Sequence, residues 1–154
     1  MAKKETEPTV QQSLLDRLSD EEPPRNRSES VVRYRESVRR DVEWLLNTRR
    51  VVHPAPEALH EVRRSLYHYG LPDVSSLPAD SPESRVRLER WIAEAIELFE
   101  PRLSSVRVSA VRASEESSRR FHFLIDAQLA LEPDPEQVVF DTYLEVASCR
   151  FAVK

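Results

Sequence analysis

Glycine is almost missing from this chain: Gly70 is the only one in 154 residues, where average usage of about 7% would give roughly eleven. Phosphate-cradling loops, dinucleotide fingerprints and nucleophile elbows all place glycines at fixed positions, because there the backbone must approach a ligand or take positive φ. The sequence contains none of them. Cysteine is equally scarce: Cys149 is alone, which excludes an internal disulfide and suits a reducing compartment. No apolar run approaches the roughly 20 residues that cross a bilayer, and Met1 to Thr6 lacks the apolar segment of a secretory signal. The expectation is a chain that stays where it is made, without direct membrane insertion. Lysine is rare too, with 3 against 20 arginines. Arginine presents a planar fork suited to carboxylates at interfaces.

What is present suffices for one domain. Forty per cent apolar residues can build a single core, and 32% charged residues can cover it. The formal charge of −4 makes the whole chain a poor polyanion binder. Locally, Arg25 to Arg50 carries eight arginines against Glu29, Glu36, Asp41 and Glu43. A nucleic-acid face needs arginines clustered on one side, and here acids interrupt the run without any aromatic platform.

Residues 1–29 read as a poorly ordered arm, with Pro8, Pro23 and Pro24 and no sustained period. One island, residues 13–18, places Leu14, Leu15 and Leu18 on one face of a helical turn. It is too short to hold itself folded. Docking on its own domain and docking on a partner both remain open for it.

From Ser30, a plausible N-cap, Val31, Tyr34, Val38, Val42 and Leu45 recur at helical spacing, and Trp44 and Leu46 widen the stripe. After Pro54 and Pro56, a second helix is expected to turn Leu59, Val62, Leu66 and Tyr69 inward and to stop at Gly70 as its C′ residue. Ser81-Pro82-Glu83 starts a third, with Leu88, Trp91, Ile92, Ala95 and Phe99 buried. Glu100-Pro101 ends it, because the residue before proline is pushed out of the helical region.

The period then falls to two. Val106 and Val108, the row from Phe121 to Leu131, and the row Val138, Phe140, Thr142, Leu144 and Val146 predict three strands. Ser114 to Arg120 and Glu132 to Pro135 connect them in an antiparallel meander. Helices followed by a small antiparallel sheet, preceded by the arm, make an α+β chain with residues 30–154 as one domain.

Candidate chemistry is sparse. Glu57 and His60 have Glu-x-x-His spacing, but a di-iron bundle needs two such pairs. His60 and His68 do not close a zinc site, and His122 alternates to the solvent side of its strand. Acid pairs such as Glu94 with Glu97, or Asp41 with Glu43, would have to flank a cleft to hydrolyse a glycan. With 27 acids in the chain they arise by chance as solvated helix faces. No serine has a histidine-linked signature. No catalytic, cofactor or metal set is predicted.

Four stretches together resemble one family: SLLDRL at Ser13 to Leu18, RRDVEWLLNTRR at Arg39 to Arg50, YGLPDVSSL at Tyr69 to Leu77, and FEPRL at Phe99 to Leu103. In order and spacing they are similar to TssE, the baseplate wedge subunit of type VI secretion systems, related to sheath-initiator wedge proteins of contractile phages and sometimes labelled lysozyme-like. The resemblance implies a structural protein of the cytoplasm, at the inner face of the cytoplasmic membrane. It implies binding to the wedge subunits TssF, TssG and TssK, and a platform for the sheath subunits TssB and TssC. It implies no enzyme activity, cofactor or nucleic acid. A peptidoglycan hydrolase and a nucleic-acid-binding module are the competing classes.

Partner-binding candidates follow from those stretches. Glu100, Pro101 and Arg102 match the family's Glu-Pro-Arg triplet. Pro101 sets a helix-to-strand corner, while Glu100 and Arg102 either present an acceptor and a bidentate donor to partners or brace the corner internally. Leu14, Leu15 and Leu18 offer an apolar face. Arg49 and Arg50 either compensate a helix dipole or touch a partner. Val138 to Val146 is the candidate open sheet edge onto which a sheath strand would add.

Overall fold

The computed structural model describes residues 9–19, 22–51, 53, 56, 58–75, 77–78, 81–111 and 120–154. Pro8, Pro54, Glu57 and the expected connector over 114–119 lie outside the described residues. The described helices come first: α1 (Leu14–Leu18), α2 (Arg27–Asn47), α3 (His60–Arg63), a 3-10 turn (Leu66–His68) and α4 (Pro82–Phe99). Strands β1 (Leu103–Val111), β2 (Arg120–Leu129), β3 (Glu136–Glu145) and β4 (Arg150–Val153) follow. They form an antiparallel sheet in the order β1-β2-β3-β4. The chain is α+β.

One face of the sheet meets α2 and α4. The rows Phe121, Phe123, Ile125, Ala127, Leu129 and Val138, Phe140, Thr142, Leu144 are buried as their alternation requires. Against them lie Val38, Val42, Leu45 and Leu46 of α2, and Leu88, Ile92, Ala95 and Ile96 of α4. Helix α2 packs on β4 and α4 packs on β1. Trp91 and Phe99, expected inside, are only partly buried, and Ile96 takes the central place.

Three expectations need correction. Helix α2 is capped by Asn26, whose side chain accepts from the Glu29 N–H. Ser30, one turn in, is fully buried, and its hydroxyl donates to the Arg27 carbonyl at 2.6 Å and accepts from Val10 N–H at 2.9 Å. It ties residues 9–12 to the helix instead of capping it. The second predicted helix shrinks to α3 and the 3-10 turn, and leaves Leu59 49% and Leu66 84% exposed. No side chain caps α3 at Leu59, and so short a helix cannot sustain a buried stripe. The fourth strand, β4, was not anticipated.

Gly70 stands where it was expected, at C′ behind the C-cap Tyr69 of the 3-10 turn, and it does more there than end the turn. It has φ +100°, and a Cβ there would lie 2.2 Å from the Thr48 carbonyl oxygen. Only glycine permits that approach. It lets Leu71 N–H donate to Thr48 O at 2.9 Å and Arg50 N–H donate to Leu71 O at 2.8 Å, a one-residue parallel bridge that fixes the end of α2.

Candidate partner-binding surface

At the corner between α4 and β1, Glu100 closes the helix with its N–H on Ile96 O at 2.8 Å, and Pro101 stands exposed. The Glu100 carboxylate turns inward and is nearly buried. It accepts from Arg102 Nε at 2.6 Å and from Nη2 at 2.5 Å, a bidentate pair. Arg102 Nη2 also donates to Asp41 Oδ2 of α2 at 2.6 Å, and the guanidinium lies over the Tyr34 ring at 5.9 Å. Burial alone would ease the proton off Arg102; hydrogen bonds to Glu100 and Asp41 outweigh it and hold the group above its ordinary range. The two charges therefore brace the corner against α2, and the side chain left facing outward is Pro101.

Helix α1 reaches the same region. Ser13 caps it, and Asp16 accepts from Arg40 Nη1 at 2.6 Å. Desolvation works against the Asp16 charge, but hydrogen bonds from Arg40 and Ser13 hold its carboxyl below the ordinary value. Arg40 in turn lies over the Trp44 ring at 5.0 Å and donates through Nε to Asp41 Oδ1 at 3.2 Å. Glu100, Arg102, Asp41, Arg40 and Asp16 thus form one run of alternating charges from the corner to α1. The leucines stay largely in water: Leu14 is 69%, Leu15 50% and Leu18 74% exposed.

These parts frame a shallow concavity of about 470 Å³, lined by Leu15, Asp41, Trp44, Tyr69, Pro101 and Arg102 among others. All four motif stretches contribute to its wall. Of the predicted residues, Leu15, Glu100, Pro101 and Arg102 line it. Leu14 and Leu18 are exposed without lining it, while Arg49 and Arg50 sit elsewhere, beyond the end of α2. Trp44, expected to widen the core stripe, is 51% exposed. Arg40, four residues earlier, was the available signal, since a cation at that spacing can cover an outward ring.

The Arg25 to Arg50 run is largely engaged within the protein. Arg33 pairs with Glu29 at 2.8 Å, Arg39 with Glu36 at 2.7 Å and with Glu43 at 2.9 Å, and Arg35 with Glu136. Asp41 and Glu43 are held in those networks. Glu94 and Glu97 are exposed on α4. His60 is exposed and His68 buried. His122 lies on the outer sheet face, stacked on Tyr143 at 4.4 Å and bonded to Asp141 at 2.8 Å. Among the described residues no three His, Cys, Asp or Glu side chains are grouped to hold a metal ion, and no helix is long and apolar enough to cross a membrane.

The sheet treats its edges unequally. On β1, Ala110 N–H donates to Glu89 of α4, and the ladder is bulged between Ser104 and Arg107. On β4, Asn47 of α2 exchanges both bonds with Phe151 at 2.9 Å, and Arg39 and Glu43 take the carbonyl and N–H of Val153. Side chains here stand in for a neighbouring strand, a device that blunts edge pairing. The candidate edge Val138 to Val146 is corrected accordingly: β4 covers β3 from Glu145 to Thr142, and Asp141 exchanges bonds with Lys154. Among the described residues, the part of β3 without a strand on that side is Glu136 to Phe140. Because ladder groups alternate, Gln137 and Val139 direct their backbone N–H and C=O outward there. A groove of about 490 Å³ runs alongside, between Val139, Lys154 and the α2 residues Val32 and Arg39.

The helix-and-sheet fold thus gathers all four motif stretches on one exposed, braced corner. Residues 32–134 match the family model described as baseplate wedge protein gp25. That stretch covers most of the chain, and the chain belongs to this family of structural components of contractile, phage-like baseplates. No curated protein matched the chain.

Proposed function

We propose that the chain is the TssE-type wedge subunit of a type VI secretion baseplate, a cytoplasmic scaffold that binds the wedge subunits TssF, TssG and TssK and nucleates the TssB and TssC sheath. The observation that carries this reading is the convergence of Leu15, Trp44, Tyr69 and Pro101, drawn from four separated motifs, on one concave surface. Residues 1–29 act as a docking arm, with 30–154 as the wedge domain. Glu100 and Arg102 act by fixing the corner, Pro101 and the α1 leucines by contact. Arg49 and Arg50 contribute a second contact beyond the end of α2.

Sheath initiation is assigned to the open half of β3. An extended arm of a sheath subunit adds beside Glu136 to Phe140, where backbone groups lack a strand neighbour among the described residues, while β4 is capped by α2 side chains and β1 is bulged and bonded to α4 at Ala110. Affinity purification from secretion-competent cells tests the whole reading: wedge and sheath subunits are expected to co-purify, and the absence of both overturns it. Hydrolysis of a cell-wall glycan by the purified chain, abolished by replacing one acid, would also overturn it.

A further inference from the structure

A second pocket, of about 280 Å³, lies on the far side of Phe99 from the braced corner, between α3, the 3-10 turn and α4. Arg50 and Arg63 both line it, and neither is ion-paired with a described residue. The arginines along the body of α2, Arg33, Arg35, Arg39 and Arg40, are tied to acids, whereas this small pocket brings two guanidinium groups together. Its floor includes His68, 7% exposed, and Trp91 forms a wall. Gly70 and Pro72 add no charge, and Glu94 and Glu97 of α4 stand at the lining as the opposing acids.

We propose that this pocket is an anion site in which Arg50 and Arg63 grip a single carboxylate of a neighbouring protein. Arginine's planar fork matches a carboxylate bidentately. The acids at Glu94 and Glu97 repel a polyanion, which selects one compact negative group over a nucleic acid or a polyphosphate. The pocket's volume leaves room for a carboxyl-bearing side chain stacked on Trp91. That the carboxylate belongs to a protein rests on the wedge reading above; the chemistry of the pocket does not.

His68 supplies a built-in reporter. Its charged form is disfavoured first by burial and then by Arg50 and Arg63, so its proton is held less tightly than in water. An anion between the arginines cancels part of that field, while Glu94 and Glu97 act in the same sense whether the pocket is filled or empty. Filling the pocket therefore raises the His68 pKa, and by linkage the anion binds more tightly as pH falls through that titration.

The experiment is an NMR titration of the full chain with sodium acetate, at ionic strength kept constant with sodium chloride. The expected result is a saturable shift of the His68 ring signals with His53, His60 and His122 unmoved, a His68 titration midpoint that rises with acetate, and loss of both in the R50A/R63A pair. An R50K/R63K pair, which keeps the charge without the fork, is expected to weaken acetate binding severalfold while His68 still responds. No saturable shift at His68, or the same shift in R50A/R63A, overturns the site. Inorganic phosphate binding ten times more tightly than acetate overturns the carboxylate assignment. These outcomes are independent of co-purification with wedge subunits, so failure of the site and failure of the wedge reading are distinguishable.

Discussion

Removing the Arg102 guanidinium would strand a carboxylate that is nearly buried, since Glu100 takes two of its bonds from Arg102. An unpaired buried charge is costly, and R102A is expected to lose about 3 kcal/mol of stability in urea unfolding. R102K keeps the charge but cannot reach Glu100 and Asp41 together, so it should recover only a small part. Thr142 shows the opposite case. It is fully buried on β3, and its hydroxyl oxygen has no partner among the described residues. Replacing it with the similarly shaped valine removes an unmet polar group, and T142V is expected to raise stability by about 1 kcal/mol, read as a higher urea midpoint with an unchanged slope.

At the scale of elements, α1 buries no residue fully and is tied to α2 by the ion pair of Asp16 with Arg40. The Asp16 pKa is depressed, so the contact is fully present above its ordinary 3.8 and is lost as pH falls through the lower folded value. D16N should loosen the turn at neutral pH, seen as faster hydrogen exchange at the Arg17 and Ser19 amides, which bond Ser13 and Leu15 carbonyls. Serine in place of Leu14, Leu15 and Leu18 should leave unfolding stability within about 0.5 kcal/mol, as exposed positions allow. Retention of wedge subunits should fall in the same variant; unchanged retention would remove α1 from the interface. The open half of β3 carries a parallel prediction. Val139 points its backbone N–H away from β2, so V139P deletes no ladder bond and should fold, with stability within about 1 kcal/mol. Sheath assembly is expected to fail, and normal sheath growth would overturn the β3 assignment.

For the molecule as a whole, membership in the baseplate wedge family goes with a corner whose motif residues Glu100, Arg102, Asp41, Arg40 and Asp16 are held in one network of ion pairs. Much of this was legible in the linear chain. Period-3.6 and period-2 rows located α2, α4 and three strands because those elements bury a full stripe, and the Glu-Pro boundary marked the corner through local sterics alone. The short pieces were not legible. Helix α3 and strand β4 span four residues each, too few for a period to emerge, and β4 exists because Asn47, Glu43 and Arg39 complete its outer edge from more than 100 residues away in sequence. Whether Glu100 and Arg102 face in or out was likewise undecided until Asp41 was placed beside them. The amino-acid order alone determined the fold class, the sheet's buried rows and the motif positions, since these follow from local backbone limits and apolar spacing. Tertiary structure alone decided which charges are satisfied, which leucines stay in water and which part of one strand remains open, because each depends on partners that only packing brings within hydrogen-bond reach.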